Sequence, residues 1–272
     1  MKVAITGSSG FIGRHVTPLL LLKGFSVHPL KIDLLNPKNV EIQLQSINPD
    51  ILLHLAWETT PCLYWHSPSN LVWLKASLDL IEAFSKQGGK RIVIAGSCAE
   101  AVPKTLYGAC KESLRLCAMN YLQKHQISFA WGRIFSPYGP QEKGERLIPS
   151  LIQKLLTSQS FHCSAQDHVR DFLFVEDVAA AFAALVASQV EGTIDIGSGV
   201  GIRVGDLVAH IASFFHTPHQ LTFADAKESA DNPSHLIANT KRLIEEVGFQ
   251  PKYSFQEGIE NTITWWKNEI CH

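Results

Sequence analysis

The stretch Val3-Ala4-Ile5-Thr6-Gly7-Ser8-Ser9-Gly10-Phe11-Ile12-Gly13 decides the fold. Three apolar residues form a first strand, glycines at 7, 10 and 13 form a turn, and Phe11 to Leu22 is dense enough in apolar residues for a helix buried against a sheet, stopped near Gly24. Glycine permits the tight turn and lets backbone N–H groups approach a pyrophosphate at the positive end of the helix. Gly13 lets helix and strand pack closely. A lone G-x-x-G-x-x-G is weak, and a glycine loop without a ligand is its bland alternative. Between a first strand and a helix, the pattern points to a dinucleotide site.

Working outward, the same alternation repeats. Strands are expected at Phe25–Leu30, Asp50–Ala56, Arg91–Ala95 and Ile127–Ile134. Helices are expected from Asn36-Pro37 through Ile47, at Ser69–Gln87 and at Leu106–Gln123. Strand and helix in alternation imply right-handed crossovers and a parallel sheet covered on both faces. The fold class is therefore α/β, a Rossmann-like doubly wound parallel sheet. After Gly139-Pro140 the pattern changes to helices at Leu147–Leu156, Val175–Ser188 and Val204–Phe215 with short strand-like pieces between them. Residues 1–140 are read as the dinucleotide-binding domain and 141–272 as a smaller substrate-binding lobe, with part of 169–196 returning to the sheet. The apolar faces of the helices at 69–87 and 106–123 look two-sided, with Cys110, Leu114, Cys117 and Tyr121 in the expected core. Such faces suit a homodimer interface or burial under the second lobe.

Composition narrows the functional classes. Hydrophobic residues make up 46% and charged residues 18%, which excludes intrinsic disorder. Lys plus Arg number 24 and Asp plus Glu 25, so the net charge of -1 provides no field for a polyanion, and neither nucleic acid nor an anionic membrane is an expected partner. The longest apolar run, Val178–Ala187, falls well short of a bilayer span and reads as a buried helix. The apolar stretch at residues 3–5 is too short for a secretion signal, so a cytoplasmic protein is expected. The six cysteines (Cys62, Cys98, Cys110, Cys117, Cys163 and Cys271) and twelve histidines show no metal-ligand spacing, so reduced thiols and no metal are expected.

A second signal is Tyr107-Gly108-Ala109-Cys110-Lys111, because residues four apart share a helix face. A cation at Lys111 would lower the Tyr107 pKa, normally about 10, and make the tyrosine a proton-transfer group. Taken alone, Y-x-x-x-K is usually a surface pair. Here it opens the helix after a strand of a parallel sheet, at the carboxyl edge where active sites gather. Ser97, just beyond the strand Arg91–Ala95, is placed to hydrogen-bond the same substrate oxygen; its bland alternative is a turn cap.

These motifs resemble the extended short-chain dehydrogenase/reductase family, specifically its sugar-nucleotide epimerases, dehydratases and ketoreductases. The resemblance rests on T-G-S-S-G-F-I-G at 6–13, H-L-A at 54–56, G-S-C-A-E at 96–100, Y-G-A-C-K at 107–111 and R-I-F-S-P-Y-G-P at 133–140. It continues through V-R-D-F-L-F-V-E-D-V at 169–178, I-G-S-G at 196–199 and the segment Ala238 to Trp266. It implies Tyr107 as general acid/base, Lys111 as the residue that binds the nicotinamide ribose and steadies the tyrosinate, and Ser97 as the residue orienting the reacting oxygen. Cys98 is the alternative claimant for the serine position. It also implies cofactor contacts from Gly7, Ser9, Gly10, Phe11, Ile12, Gly13, Arg14, Lys31, Asp33, Leu34, Leu55, Ala56, Tyr107 and Lys111. Trp57, Asn70, Ser97, Cys98, Arg170 and Arg203 are implied on the substrate side, Arg170 as a diphosphate clamp and Arg203 as a second cation. For Arg170 the alternative is an ion pair with Asp171 or Glu176.

The departures shape the expected chemistry. Nine residues separate Ser97 from Tyr107, where the family usually has a much longer loop. Cys98-Ala99 stand where the 4,6-dehydratases carry Asp-Glu, which disfavours dehydration. Trp57 replaces the second alanine of H-L-A-A, and Ser136 stands where many members have asparagine. The resemblance thus implies an NAD(P)-dependent enzyme on a nucleoside-diphosphate sugar, reducing a 4-keto-6-deoxy sugar nucleotide, with a 4-epimerase or a non-catalytic dinucleotide sensor as alternatives. Counting eighteen residues on from Gly13 gives Lys31 and twenty gives Asp33. A basic residue suits a 2′-phosphate and an acid suits free ribose hydroxyls, so Lys31, helped by Arg14, favours NADP over NAD.

Overall fold

The computed structural model describes residues 1–61, 63–216, 220–224 and 233–270; Cys62 and Cys271 lie outside them. The first elements are β1 (Lys2–Thr6), α1 (Gly13–Leu22), β2 (Ser26–Pro29), α2 (Pro37–Ile47), β3 (Ile51–His54), α3 (Ser69–Lys86), β4 (Arg91–Ser97), α4 (Leu106–Lys124) and β5 (Ser128–Ile134). There follow β6 (Ser136–Tyr138), α5 (Leu147–Leu156), β7 (Phe161–Cys163), β8 (Val169–Phe174), α6 (Val175–Ala187), β9 (Gly192–Ile196), β10 (Gly201–Arg203) and α7 (Val204–Ser213). The last are β11 (Leu221–Phe223), β12 (His235–Leu236), α8 (Lys241–Glu245) and α9 (Phe255–Ile270).

Two compact units emerge. The first comprises Met1–Ile134, Ala179–Ile196 and Lys241–Gln250, and the second Phe135–Val178, Gly197–Thr240 and Pro251–His272. The first unit is built on a six-stranded sheet in the order β2-β1-β3-β4-β5-β9, with every neighbouring pair parallel. β1, β3 and β4 are almost wholly buried, which is why they read as continuous apolar runs rather than alternating ones. Chain order reverses between β1 and β3, so the crevice at the carboxyl ends of these two strands is the topological switch point where such sheets bind ligands. The glycine turn and His54-Leu55-Ala56 both lie there.

The second unit pairs β10, β12 and β6 with β8, sets β7 against β11, and packs α5, α7 and α9 around a separate apolar core that includes Tyr138, Leu151, Phe172, Val208 and Ile259. The helix α1 starts at Gly13 rather than Phe11, because residues 7–12 belong to the turn. Cys110 and Leu114 are buried as expected, but Cys117 is exposed: α4 turns that position outward, so it leaves the core set. Among the described residues no helix is long and apolar enough to cross a membrane.

Candidate active site

The glycine turn is shaped by close approach. Gly7 adopts φ +69°, and a Cβ there would lie 2.9 Å from the Ala56 backbone nitrogen. At Gly13 a Cβ would lie 2.0 Å from the Gly7 carbonyl oxygen, so only glycine lets α1 begin against the turn. Ser9 and Gly10 are exposed above it, while Phe11 and Ile12 are half-buried. Arg14 folds back over the turn, donating from Nη2 to Ser9 O at 2.8 Å and from Nε to Gly10 O at 3.2 Å. A backbone cradle with no room for side chains, opening at a helix N-terminus, fits a dinucleotide pyrophosphate.

Just past β2, Lys31 and Asp33 are both exposed. One Asp33 carboxylate oxygen accepts the Leu35 N–H at 2.9 Å, whereas Lys31 has no hydrogen bond or ion pair with another described residue. Leu34 is buried in the core, which sets it apart from these two polar neighbours.

Beneath the turn, a proton-ordered chain joins β1, β3 and α3. Ser77 donates to Trp73 O at 2.8 Å, so its oxygen accepts His54 Nε2–H at 2.9 Å. His54 Nδ1 then accepts from Thr6 Oγ1 at 2.7 Å, and that oxygen accepts the Leu55 and Ala56 N–H groups at 3.2 Å each. Burial, then the charge of Lys111, pushes the His54 pKa down to about 3, so the imidazole is neutral as this chain requires. The motif H-L-A was visible in the sequence, but this bracing role for its histidine was not.

At the next strand end, Ser97, Tyr107 and Lys111 come together. Ser97 closes β4; its hydroxyl accepts the Ala99 N–H at 3.3 Å, and it lies near enough to Tyr107 to favour the tyrosinate. Tyr107 sits near the start of α4, edge-on to Trp57, Tyr64 and Trp65 at ring-centre distances of 6.3, 4.9 and 5.8 Å. Lys111, one turn further, donates to Ala95 O at 2.9 Å and lies 4.1 Å from the Trp57 ring centre.

The expectation that Lys111 lowers the Tyr107 pKa is corrected. Burial above all, and then Tyr64, raises it beyond the ordinary tyrosine range against the opposing Ser97 hydrogen bond. The same burial lowers Lys111 to about 7. The physical reason is the aromatic wall, which strips water from both groups and turns the ammonium toward Trp57 and a carbonyl.

The substrate-side expectations divide. Cys98 is half-buried beside Tyr107 in the short helical turn Cys98–Glu100. Asn70 is 1% exposed and spends its amide on the protein: Oδ1 accepts from Trp57 Nε1 at 2.9 Å, and Nδ2 donates to Tyr64 O at 2.6 Å and Ser67 O at 2.9 Å. It is thus a brace for the aromatic segment rather than an exposed ligand group.

In the second unit, Arg170 Nη1 donates to Val169 O at 2.8 Å and Ser234 O at 3.2 Å, and Nη2 lies 3.1 Å from His168 Nδ1. It is not ion-paired with Asp171, whose carboxylate holds Ser198, Gly199 and Ala238, nor with Glu176, which accepts from Tyr253. Arg203, the expected second cation, is ion-paired on an exposed surface with Asp167 at 2.8 Å and Asp206 at 3.8 Å.

The fold and site define a doubly wound α/β protein with a glycine turn at its switch point and a serine, tyrosine and lysine gathered at a neighbouring strand end. The chain belongs to the NAD dependent epimerase/dehydratase family, which its residues 3–197 match. It is similar to CDP-abequose synthase of Salmonella typhimurium, 25% identical over 96% of this chain and 97% of that one. It is also similar to GDP-6-deoxy-D-mannose reductase of Pseudomonas aeruginosa, 22% identical over 99% of this chain and 98% of that one. The crystal structure of Thermus thermophilus UDP-glucose 4-epimerase in complex with NAD shares the fold, with a TM-score of 0.87 and 22% identity over 98% of this chain and 99% of that one.

Proposed function

We propose that this chain catalyses the NADP-dependent reduction of a 4-keto-6-deoxy nucleoside-diphosphate sugar. The observation that carries this reading is the meeting of Ser97 and Tyr107 at the carboxyl edge of β4, with Lys111 one helical turn on. Reduction of a carbonyl needs an acid that is protonated at neutral pH, and the burial that raises Tyr107 keeps its proton in place. Ser97 holds the carbonyl oxygen, Tyr107 delivers the proton to it, and Lys111 stabilises the resulting tyrosinate. The nicotinamide dinucleotide, when bound, supplies the hydride. The names of the relatives support a sugar-nucleotide reductase, and Cys98-Ala99 offers no acid–base pair for dehydration.

Lys31, exposed past β2 and unpaired among the described residues, is assigned to the 2′-phosphate of NADP, with Arg14 beside the turn. Hydride-transfer assays on a panel of 4-keto sugar nucleotides test the reading. Turnover with NADPH and tighter binding of NADPH than NADH are expected; inertness toward the whole panel, or preference for NADH, overturns the respective part.

Arg170 is assigned to the substrate diphosphate, because the planar guanidinium matches phosphate oxygens bidentately. Charge-assisted hydrogen bonds to phosphate are worth about 1.5–3 kcal/mol each, so Arg170→Ala should raise KM for the sugar nucleotide roughly tenfold to a hundredfold and leave dinucleotide affinity unchanged. Weakened dinucleotide binding with an unchanged KM would make Arg170 a cofactor residue.

A homodimer is proposed as well. The outer faces of α3 and α4 expose Leu71, Val72, Leu116 and Met119 beside a groove of about 210 Å³ lined by Leu78, Ile81, Cys117 and Tyr121.

A further inference from the structure

Glu100 lies three residues beyond Ser97 and is 1% exposed. Three donors converge on its carboxylate: the Ser97 N–H at 3.0 Å on Oε2, and Trp131 Nε1–H at 2.6 Å and Arg133 Nε–H at 2.8 Å on Oε1. Arg133 reaches on to Asp195 of β9 at 3.2 Å. Ser97 returns the contact by accepting the Ala99 N–H, so the two side chains form a reciprocal capping pair around the turn 98–100. The turn presses on α4: a Cβ at Gly108 would lie 2.5 Å from Ala99 O.

Capping alone does not require burial, and a surface glutamate closes such a turn without desolvation. Taking a carboxylate out of water costs several kcal/mol unless partners restore it. This chain spends three donors, one of them an arginine, to hold one on the Ser97 main chain. Around it stand Tyr107, Lys111 and Arg115 from α4 and Arg133 from β5, with Cys98 in its own turn facing Tyr107.

We propose that Glu100 is a positioning residue for proton transfer: its carboxylate clamps the Ser97 main chain to the Trp131–Arg133 pair, and so fixes the Ser97 hydroxyl beside Tyr107 across a loop only nine residues long. The inference rests on the reading of Ser97, Tyr107 and Lys111 as the proton-transfer set. Its charge acts in the same place, favouring the ammonium form of Lys111 and opposing the tyrosinate of Tyr107. Removing the charge therefore lowers both pKa values. Glu100→Gln also turns an amide NH2 toward one of the three donors, which loosens the clamp.

The test uses the full chain labelled with 5-fluorotryptophan. The Trp57 fluorine resonance, assigned with Trp57→Phe, reports the protonation of Lys111 from 4.1 Å without any substrate. The wild-type midpoint is expected near pH 7, and that of Glu100→Gln lower by about half a unit or more. On the reduction assay, kcat should fall by roughly tenfold or more while KM for the dinucleotide stays within about twofold. An unmoved midpoint with unchanged kcat makes Glu100 a fold residue only, whatever happens to Tm, and overturns the proposal. A moved midpoint with unchanged kcat shows charge without positioning and overturns it too. If Glu100→Gln does not fold, Trp131→Phe removes one donor and keeps an aromatic side chain in its place; a kcat equal to wild type would then be the contrary result. Because the fluorine readout needs no sugar nucleotide, failure of the proposed reaction and failure of this inference are separate outcomes.

Discussion

Tyr107→Phe is expected to abolish reduction while leaving the dinucleotide bound. The substitution removes the hydroxyl and nothing else, and the ring keeps its edge-on packing against Trp57, Tyr64 and Trp65. Positioned acid–base groups contribute roughly 100- to 10,000-fold, so kcat should fall within that range. Fluorescence titration should return a wild-type Kd for NADPH, because Tyr107 takes no part in the glycine turn. Turnover within about threefold of wild type would show that the proton comes from elsewhere.

Gly13→Ala is expected to have a comparably large effect at the other end of the site. The new methyl would lie 2.0 Å from the Gly7 carbonyl oxygen and 2.8 Å from the Gly7 carbonyl carbon and the Ser8 Cα. These are backbone atoms, so relief comes only by pushing α1 away from the turn. The N–H groups of residues 8–13 then lose the alignment that a pyrophosphate needs. Each displaced charge-assisted hydrogen bond is worth about 1.5–3 kcal/mol, which predicts a loss of NADPH affinity on the order of a hundredfold. Overpacking adds about 1–3 kcal/mol of destabilisation, visible as a lower Tm. A variant that binds NADPH within threefold of wild type would place the dinucleotide away from this turn.

What was legible in the sequence was local. The bounds expected for the helices Pro37–Ile47 and Leu147–Leu156 agree with those observed, because a proline opens the first and a strongly one-sided apolar stripe marks the second. The sheet order was not legible, since β9 joins β5 across a long intervening segment and no pattern in Gly192–Ile196 names its partner. The terminal helix Phe255–Ile270 went unread for a different reason: its buried residues are few, and only the resemblance over Ala238–Trp266 pointed there.

The site divides in the same way. Spacing and resemblance point to Ser97, Tyr107 and Lys111, but the sign of the Tyr107 shift is not legible there, because the aromatic wall comes from residues 57–65, distant in sequence. Asn70 was placed near the site, yet its bonds to Trp57 and Tyr64 are tertiary facts. Glu100 left one readable trace, the S-x-x-E spacing of a capping pair at 97–100. Its partners Trp131 and Arg133 lie on another strand, so its burial could be learned only from the fold.

Isotope transfer tests the central claim most directly. Wild-type protein is incubated with a 4-keto-6-deoxy sugar nucleotide and NADPH carrying deuterium at the hydride position, and the product is examined by NMR. The proposed reaction predicts stoichiometric oxidation of NADPH, deuterium bound to the former carbonyl carbon, and neither signal with Tyr107→Phe. Inversion of a sugar nucleotide without net consumption of the dinucleotide, or no label in any product across the panel, would contradict it.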